Sequence, residues 1–218
     1  MGLFDMAHLY LFSGLGADRR AFERLNLSGY ETTHIQWIAP LFNETIAQYA
    51  ARLCAQITSP HPVLIGLSFG GMVAVEVAKQ LSTKQLILIA SAKSRREIPF
   101  YLRWLGTLRL HKLIPTRLLI WPNSIMFWLF GVKTQGDQAL LKAILRDTDV
   151  VFLRWAINAI VTWQNDMPPA NVLHIHGTHD RILPIRFVDN SVEIKGGGHL
   201  MTLDKAQEMT RIIRYTLH

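Results

Sequence analysis

The sequence predicts a parallel, doubly wound α/β sheet interrupted by one all-helical insertion, and three observations carry that expectation. Short apolar runs alternate with segments of helical period from His8 to Ala90, and again from Asn171 to Leu217. Several of those runs are apolar without interruption, as in parallel strands buried on both faces. Between Lys93 and Gln164 no strand pattern occurs, only helical periods punctuated by Pro99, Pro115, Pro122, Gly131 and Gly136.

His8–Phe12 reads as a strand running into the turn Ser13-Gly14-Leu15-Gly16. Tyr30–Ile38 is a second strand, stopped by Pro40. Glu44–Ile57 places Ile46, Ala50, Leu53 and Ile57 at helical spacing, with Asn43 as the expected cap. Pro62–Leu67 is a buried strand, Gly71–Leu81 a helix and Gln85–Ala90 another buried strand. In the insertion, helices are expected over Phe100–Ile114, Thr116–Phe130, Asp137–Arg146 and Val150–Trp163. Asn171–His176 and Ser191–Ile194 complete a sheet of about six strands, and Asp204–Leu217 is a closing helix. The core is expected to comprise residues 1–92 and 167–218, with 93–166 as a helical cap.

At 218 residues, half of them hydrophobic and 18% charged, the chain can bury one sizeable core and is not a disordered segment. A single cysteine, Cys54, excludes an internal disulfide. No apolar run approaches the ~20 residues that span a bilayer, and Met1-Gly2-Leu3-Phe4-Asp5 lacks the basic start of a signal peptide. A cytoplasmic protein without a transmembrane segment is expected. The formal charge of +7 is unevenly placed. Residues 93–164 hold 11 of the 23 Lys and Arg but only 4 of the 16 Asp and Glu, and five of the six tryptophans. The rest of the chain is electroneutral.

Gly66-Leu67-Ser68-Phe69-Gly70-Gly71 stands between a predicted strand and a predicted helix. A serine at the tip of so sharp a turn has a strained backbone, and glycines two residues to either side remove the clashes. The helix behind it aims backbone N–H groups at any oxyanion formed there. Asp180 follows the strand that ends in His174-Ile175-His176-Gly177, and His199 follows the next strand after Gly196-Gly197-Gly198. All three residues fall at the carboxyl ends of strands, where parallel sheets collect their functional side chains.

The order Ser68, Asp180, His199 and the turns around them resemble the α/β-hydrolase superfamily over nearly the whole chain. The matching pieces are Leu11–Gly16, Gly66–Gly71, His176–Pro184 and Gly197-Gly198-His199. The resemblance implies Ser68 as nucleophile, His199 as general base and then acid, and Asp180 as the orienting carboxylate. It implies an oxyanion hole from the N–H groups of Phe69 and Leu15, and a helical cap inserted after the strand at 85–90. It implies no cofactor. Members with dehalogenase or epoxide hydrolase chemistry carry Asp at the elbow, so Ser68 argues against both. Two departures are visible. Ser13-Gly14 stands where many members have His-Gly, and the two extra strands with which many members begin have no room here, so the sheet should be small.

The expected reaction is hydrolysis of carboxylic esters with small or medium apolar acyl groups, the substrate being a small molecule. An acyl-carrier-protein ester or thioester hydrolase is the alternative, since pimeloyl-carrier-protein methyl ester esterases of this superfamily are similar in size and meet an acidic carrier through a basic cap. A non-catalytic ligand-binding or scaffold protein of the same fold is the reading from another class. His174, His176, His179 and Asp180 resemble a metal cluster, but Thr178 and His179 break the known spacing, so no metal is expected. Gly14-Leu15-Gly16 opens a dinucleotide-like motif whose third glycine is replaced by Arg19. Nucleic-acid binding is not expected either, because the basic residues form no dense run.

Overall fold

The computed structural model describes residues 7–113, 115 and 120–217. Six parallel strands form one sheet in the order β2-β1-β3-β4-β5-β6: β1 His8–Phe12, β2 Glu31–His34, β3 Val63–Leu67, β4 Gln85–Ile89, β5 Val172–Gly177 and β6 Val192–Ile194. The chain leaves β1 towards β2 and then crosses to β3 on the other side. That reversal opens a crevice at the carboxyl ends of β1 and β3, where open α/β sheets bind ligands. Ser13–Gly16 and Ser68 stand at those ends.

Strand periodicity divides the core in two. Leu9, Leu11, Val63, Ile65, Ile87 and Ile89 face α8 (Ala206–Leu217) and α5 (Gln135–Asp147) on one side. Tyr10, Phe12, Leu64, Leu86 and Leu88 face α1 (Ile46–Leu53), α2 (Phe69–Ala78) and α6 (Val150–Thr162) on the other. Helix α2 is buried from Phe69 to Val77, as expected of a helix that is apolar all round. Its one charged residue in that stretch, Glu76, accepts from Trp163 Nε1 at 2.8 Å and from Lys79 Nζ at 2.9 Å.

Between β4 and β5 the chain inserts α3 (Phe100–Thr107), α4 (Ser124–Phe130), α5 and α6. Trp155 of α6 donates to the Glu44 carbonyl at 2.8 Å, and its ring joins Trp37, Tyr49, Phe69 and Phe152 in one aromatic cluster. The insertion is thereby seated against Phe69, the residue after Ser68.

Several boundaries differ from expectation for local reasons. The strand expected over 30–38 ends at His34, because side chains replace its ladder partners. Gln56 accepts from the Gln36 N–H and donates to its carbonyl, and Tyr49 OH does the same for Ile38. Thr45, not Asn43, caps α1, in a reciprocal pair with Gln48; Asn43 has φ 56° and lies in the preceding turn. The helix expected over 100–114 stops at Thr107, and the chain turns through Arg109 at φ 56° into a short 3-10 segment, Leu110–Leu113. The helix expected over 116–130 is seen from Ser124 onward; residues 116–119 lie outside the described ones, as does the chain start. The closing helix expected over 204–217 starts at Ala206, as α8, and a separate short helix, α7 (Met201–Asp204), precedes it.

Candidate active site

Ser68 follows β3 and precedes the first residue of α2, with φ 52° and ψ −121°. Such a backbone costs a non-glycine residue about 1–3 kcal/mol and persists only where its surroundings hold it. Here β4 does so: Ser68 N–H donates to the Ile89 carbonyl at 2.9 Å, and Ser91 Oγ donates to the Ser68 carbonyl at 2.6 Å. The two flanking glycines are sterically required. A Cβ on Gly66 would collide with Gly71 Cα, and one on Gly70 with the carbonyls of Phe12 and Ser13.

The three residues expected to act together are in contact. His199 Nδ1 lies 2.8 Å from Asp180 Oδ2, and His199 Nε2 lies 2.8 Å from Ser68 Oγ. A carboxylate only accepts, so Nδ1 carries the ring proton and the Ser68 hydroxyl donates to Nε2. Asp180 Oδ1 accepts from the N–H groups of Ile182 and Leu183, both at 2.9 Å. Burial works against the charge on Asp180, but attraction and hydrogen bonding from His199, with His176 and the Leu183 N–H behind them, hold its pKa below the usual carboxylate range. The arrangement can take a proton from Ser68 and stabilise the imidazolium so formed.

Phe69 N–H opens α2 and has no acceptor within the helix. The loop after β1 lies alongside, since a Cβ on Gly14 would stand 3.6 Å from Ser68 Cβ. Ser13, which departs from the superfamily's usual His, closes this loop by donating to the Ala17 carbonyl at 2.6 Å. It also accepts from Trp37 Nε1 at 3.0 Å. Leu15, the second expected donor, is held in this turn.

His174 and His176 form a wall behind the site. With acceptor carbonyls as partners, His174 Nε2 donates to Ser91 and His176 Nε2 to Leu183, at 3.0 and 2.7 Å. Glu97 Oε2 lies 3.8 Å from His174 Nδ1, but this is not an ion pair. Burial above all, then His176 and Lys93, pushes the His174 pKa down to about 3, so the ring is neutral.

The sequence carries no sign of how α4 meets the loops that hold Asp180 and His199. Leu200 N–H donates to the Phe130 carbonyl at 3.1 Å, and the Phe130 ring lies edge-on to His199 at 5.7 Å. Arg181, next to Asp180, donates to the Trp128 carbonyl at 2.8 Å and lies over the Trp128 ring at 4.5 Å. One helix end thus touches both loops. No local pattern encodes such a contact, which depends on segments about 50–70 residues apart meeting in space. Elsewhere, a cleft of about 900 Å³ lies between α1 and α6, and none of the three residues lines it. Two of its polar lining residues are paired within the protein, His111 with Asn158 and Glu76 with Trp163.

A family model described as "Alpha/beta hydrolase family" matches residues 2–212. The chain belongs to that family. Solved structures agree with this hydrolase in fold at low identity. An esterase from Exiguobacterium antarcticum is 15% identical with a TM-score of 0.70, covering 97% of this chain and 91% of that one. A thermophilic esterase from Thermogutta terrifontis is 19% identical with a TM-score of 0.68, covering 97% and 89%. A bromoperoxidase from Bacillus anthracis is 15% identical with a TM-score of 0.64, covering 97% and 92%. No curated protein matches the sequence of this hydrolase.

Proposed function

We propose that this hydrolase cleaves carboxylic esters of small or medium apolar acyl groups through an acyl-enzyme on Ser68. The observation that carries the reading is the unbroken relay Ser68–His199–Asp180, two contacts of 2.8 Å, on a strained strand-to-helix turn. Ser68 Oγ attacks the ester carbonyl while His199 Nε2 takes its proton. The N–H groups of Phe69 and Leu15 receive the developing oxyanion, each such donor being worth roughly 3–4 kcal/mol of barrier lowering. His199 then protonates the departing alcohol, and later takes a proton from water as it attacks the acyl-enzyme. Asp180 stays ionised and holds the ring in its Nδ1–H form. Helices α3–α6, following β4 as a cap does, form the wall against which the acyl group rests, with Phe69 and Phe152 beside the elbow.

Thioesters and carrier-borne acyl esters present the same carbonyl to the same residues and belong in the same assay. The test is a chain-length series of chromogenic esters with wild type and Ser68→Ala. Hydrolysis that peaks at short or medium chains and falls by about 10⁴-fold or more in the variant is expected. Folded wild-type protein that hydrolyses none of the series supports the non-catalytic reading of the fold instead.

A further inference from the structure

The tryptophans between β4 and β5 are of two kinds. Trp155 and Trp163 donate to Glu44 and Glu76 and tie the insertion to the core. Trp104, Trp121 and Trp128 are each more than half exposed. On α3, Phe100, Trp104 and Leu108 recur every four residues and so stand in a row on one face. All three are more than half exposed. The opposite face is the one that packs, with Gly106 close against Val161 of α6. On α4, Ile125 and Trp128 are three residues apart and likewise more than half exposed. Large apolar side chains gathered outward on successive elements mark an interaction surface.

The exposed charge of the insertion is mainly positive. The four acidic residues between 93 and 164 are all engaged elsewhere: Glu97 with Lys93, Asp137 with Arg24 and Asp147 with Arg20, while Asp149 caps α6. Arg96, Arg109, Lys133, Lys142 and Arg146 are exposed. A second copy of this chain would bring that positive surface against itself. An anionic lipid surface instead offers phosphates to the basic residues, and a headgroup–acyl boundary at which tryptophan rings settle.

We propose that the outer faces of α3 and α4 dock on an anionic lipid surface, with Trp104, Leu108 and Trp128 entering the headgroup boundary and the exposed Arg96 and Arg109 meeting lipid phosphates. The α4 part of that face adjoins the loops that carry Asp180 and His199, since Arg181 lies over the Trp128 ring and Phe130 holds the Leu200 N–H. The enzyme would then take its ester from the lipid side.

Co-sedimentation with phosphatidylcholine vesicles, with and without phosphatidylglycerol, tests this at low and high salt. Wild type is expected to bind only the anionic vesicles and to dissociate at high salt. The doubles Trp104→Ser/Leu108→Ser and Arg96→Glu/Arg109→Glu should each lose about tenfold in affinity or more. Far-UV circular dichroism reads their folding, so failure of the esterase reading leaves this test intact. Absence of binding, or binding unchanged in both folded doubles, overturns the proposal. So does a dimer in sedimentation velocity that the Trp104→Ser/Leu108→Ser double abolishes, or salt-sensitive capture by an acidic acyl carrier protein with no vesicle binding.

Discussion

Asp180 and His174 are both buried, and their surroundings resolve the conflict between burial and charge in opposite ways. Asp180 keeps its charge, because His199 and two backbone N–H groups more than offset desolvation. Its folded pKa lies below its unfolded one, so the stability it contributes is complete above the ordinary carboxylate range and is lost as pH falls through the folded value. His174 gives up its charge. Its pKa falls from about 6.5 to about 3, so the neutral ring contributes fully above the unfolded value, and stability declines as pH drops from there towards about 3. Replacing it with glutamine keeps a donor for the Ser91 carbonyl and removes the titration. Urea unfolding at about pH 7 and about pH 5 should then show a smaller loss of stability for His174→Gln than for wild type; equal losses would remove His174 from the account. At this scale the sequence was readable where chain order and strand ends placed a residue, as for Ser68, Asp180 and His199. The neutral state of His174 was not readable, because it depends above all on burial, and then on His176 and on Lys93, which only the fold brings near it.

Elements were legible in proportion to how locally they are determined. β1, β3 and β4 are uninterrupted apolar runs buried on both faces, and they stand within a residue of their expected places. β2 is an edge strand whose last expected residues bond to Gln56 and Tyr49 side chains instead, a substitution that no period-2 pattern reveals. The helices after β4 were legible as helices, while their breaks at Arg109 and at Asn123, which caps α4, were not. The elbow was legible because Gly66 answers to Gly70 and Gly71 beside it, although Gly70 also answers to the end of β1 and Ser68 is held by β4. Helix α4 is the opposite case, an element whose importance comes entirely from the two loops it touches. Arg181→Ala removes one of those ties without touching a reacting group. The expected outcome is kcat on a soluble ester lowered by about tenfold with KM little changed, as for a small misplacement of a catalytic loop. An unchanged kcat would show that Asp180 is held without α4.

At the scale of the molecule, charge and shape divide the labour. Outside residues 93–164 the chain carries no net charge, and there the strand ends bring together Ser68, His199 and Asp180. The insertion carries the whole +7, anchors itself by two tryptophans and turns three others outward. Among the described residues no helix is long and apolar enough to cross a membrane. The family was legible because its signals are short and stand in chain order. The departure at Ser13 became intelligible only with Trp37 and Ala17 around it, since neither is near it in the strand pattern.

The central claim is that Ser68 is the nucleophile, made reactive by His199 and Asp180. Intact-mass spectrometry after treatment with a serine-directed phosphonate tests it most directly, with peptide mapping and the loss of ester hydrolysis followed together. A single adduct on Ser68 is expected, with inactivation in step with labelling, and no adduct in Ser68→Ala or, on the same timescale, in His199→Ala. Undiminished hydrolysis by Ser68→Ala, or inactivation of wild type with the adduct on another residue, would contradict it.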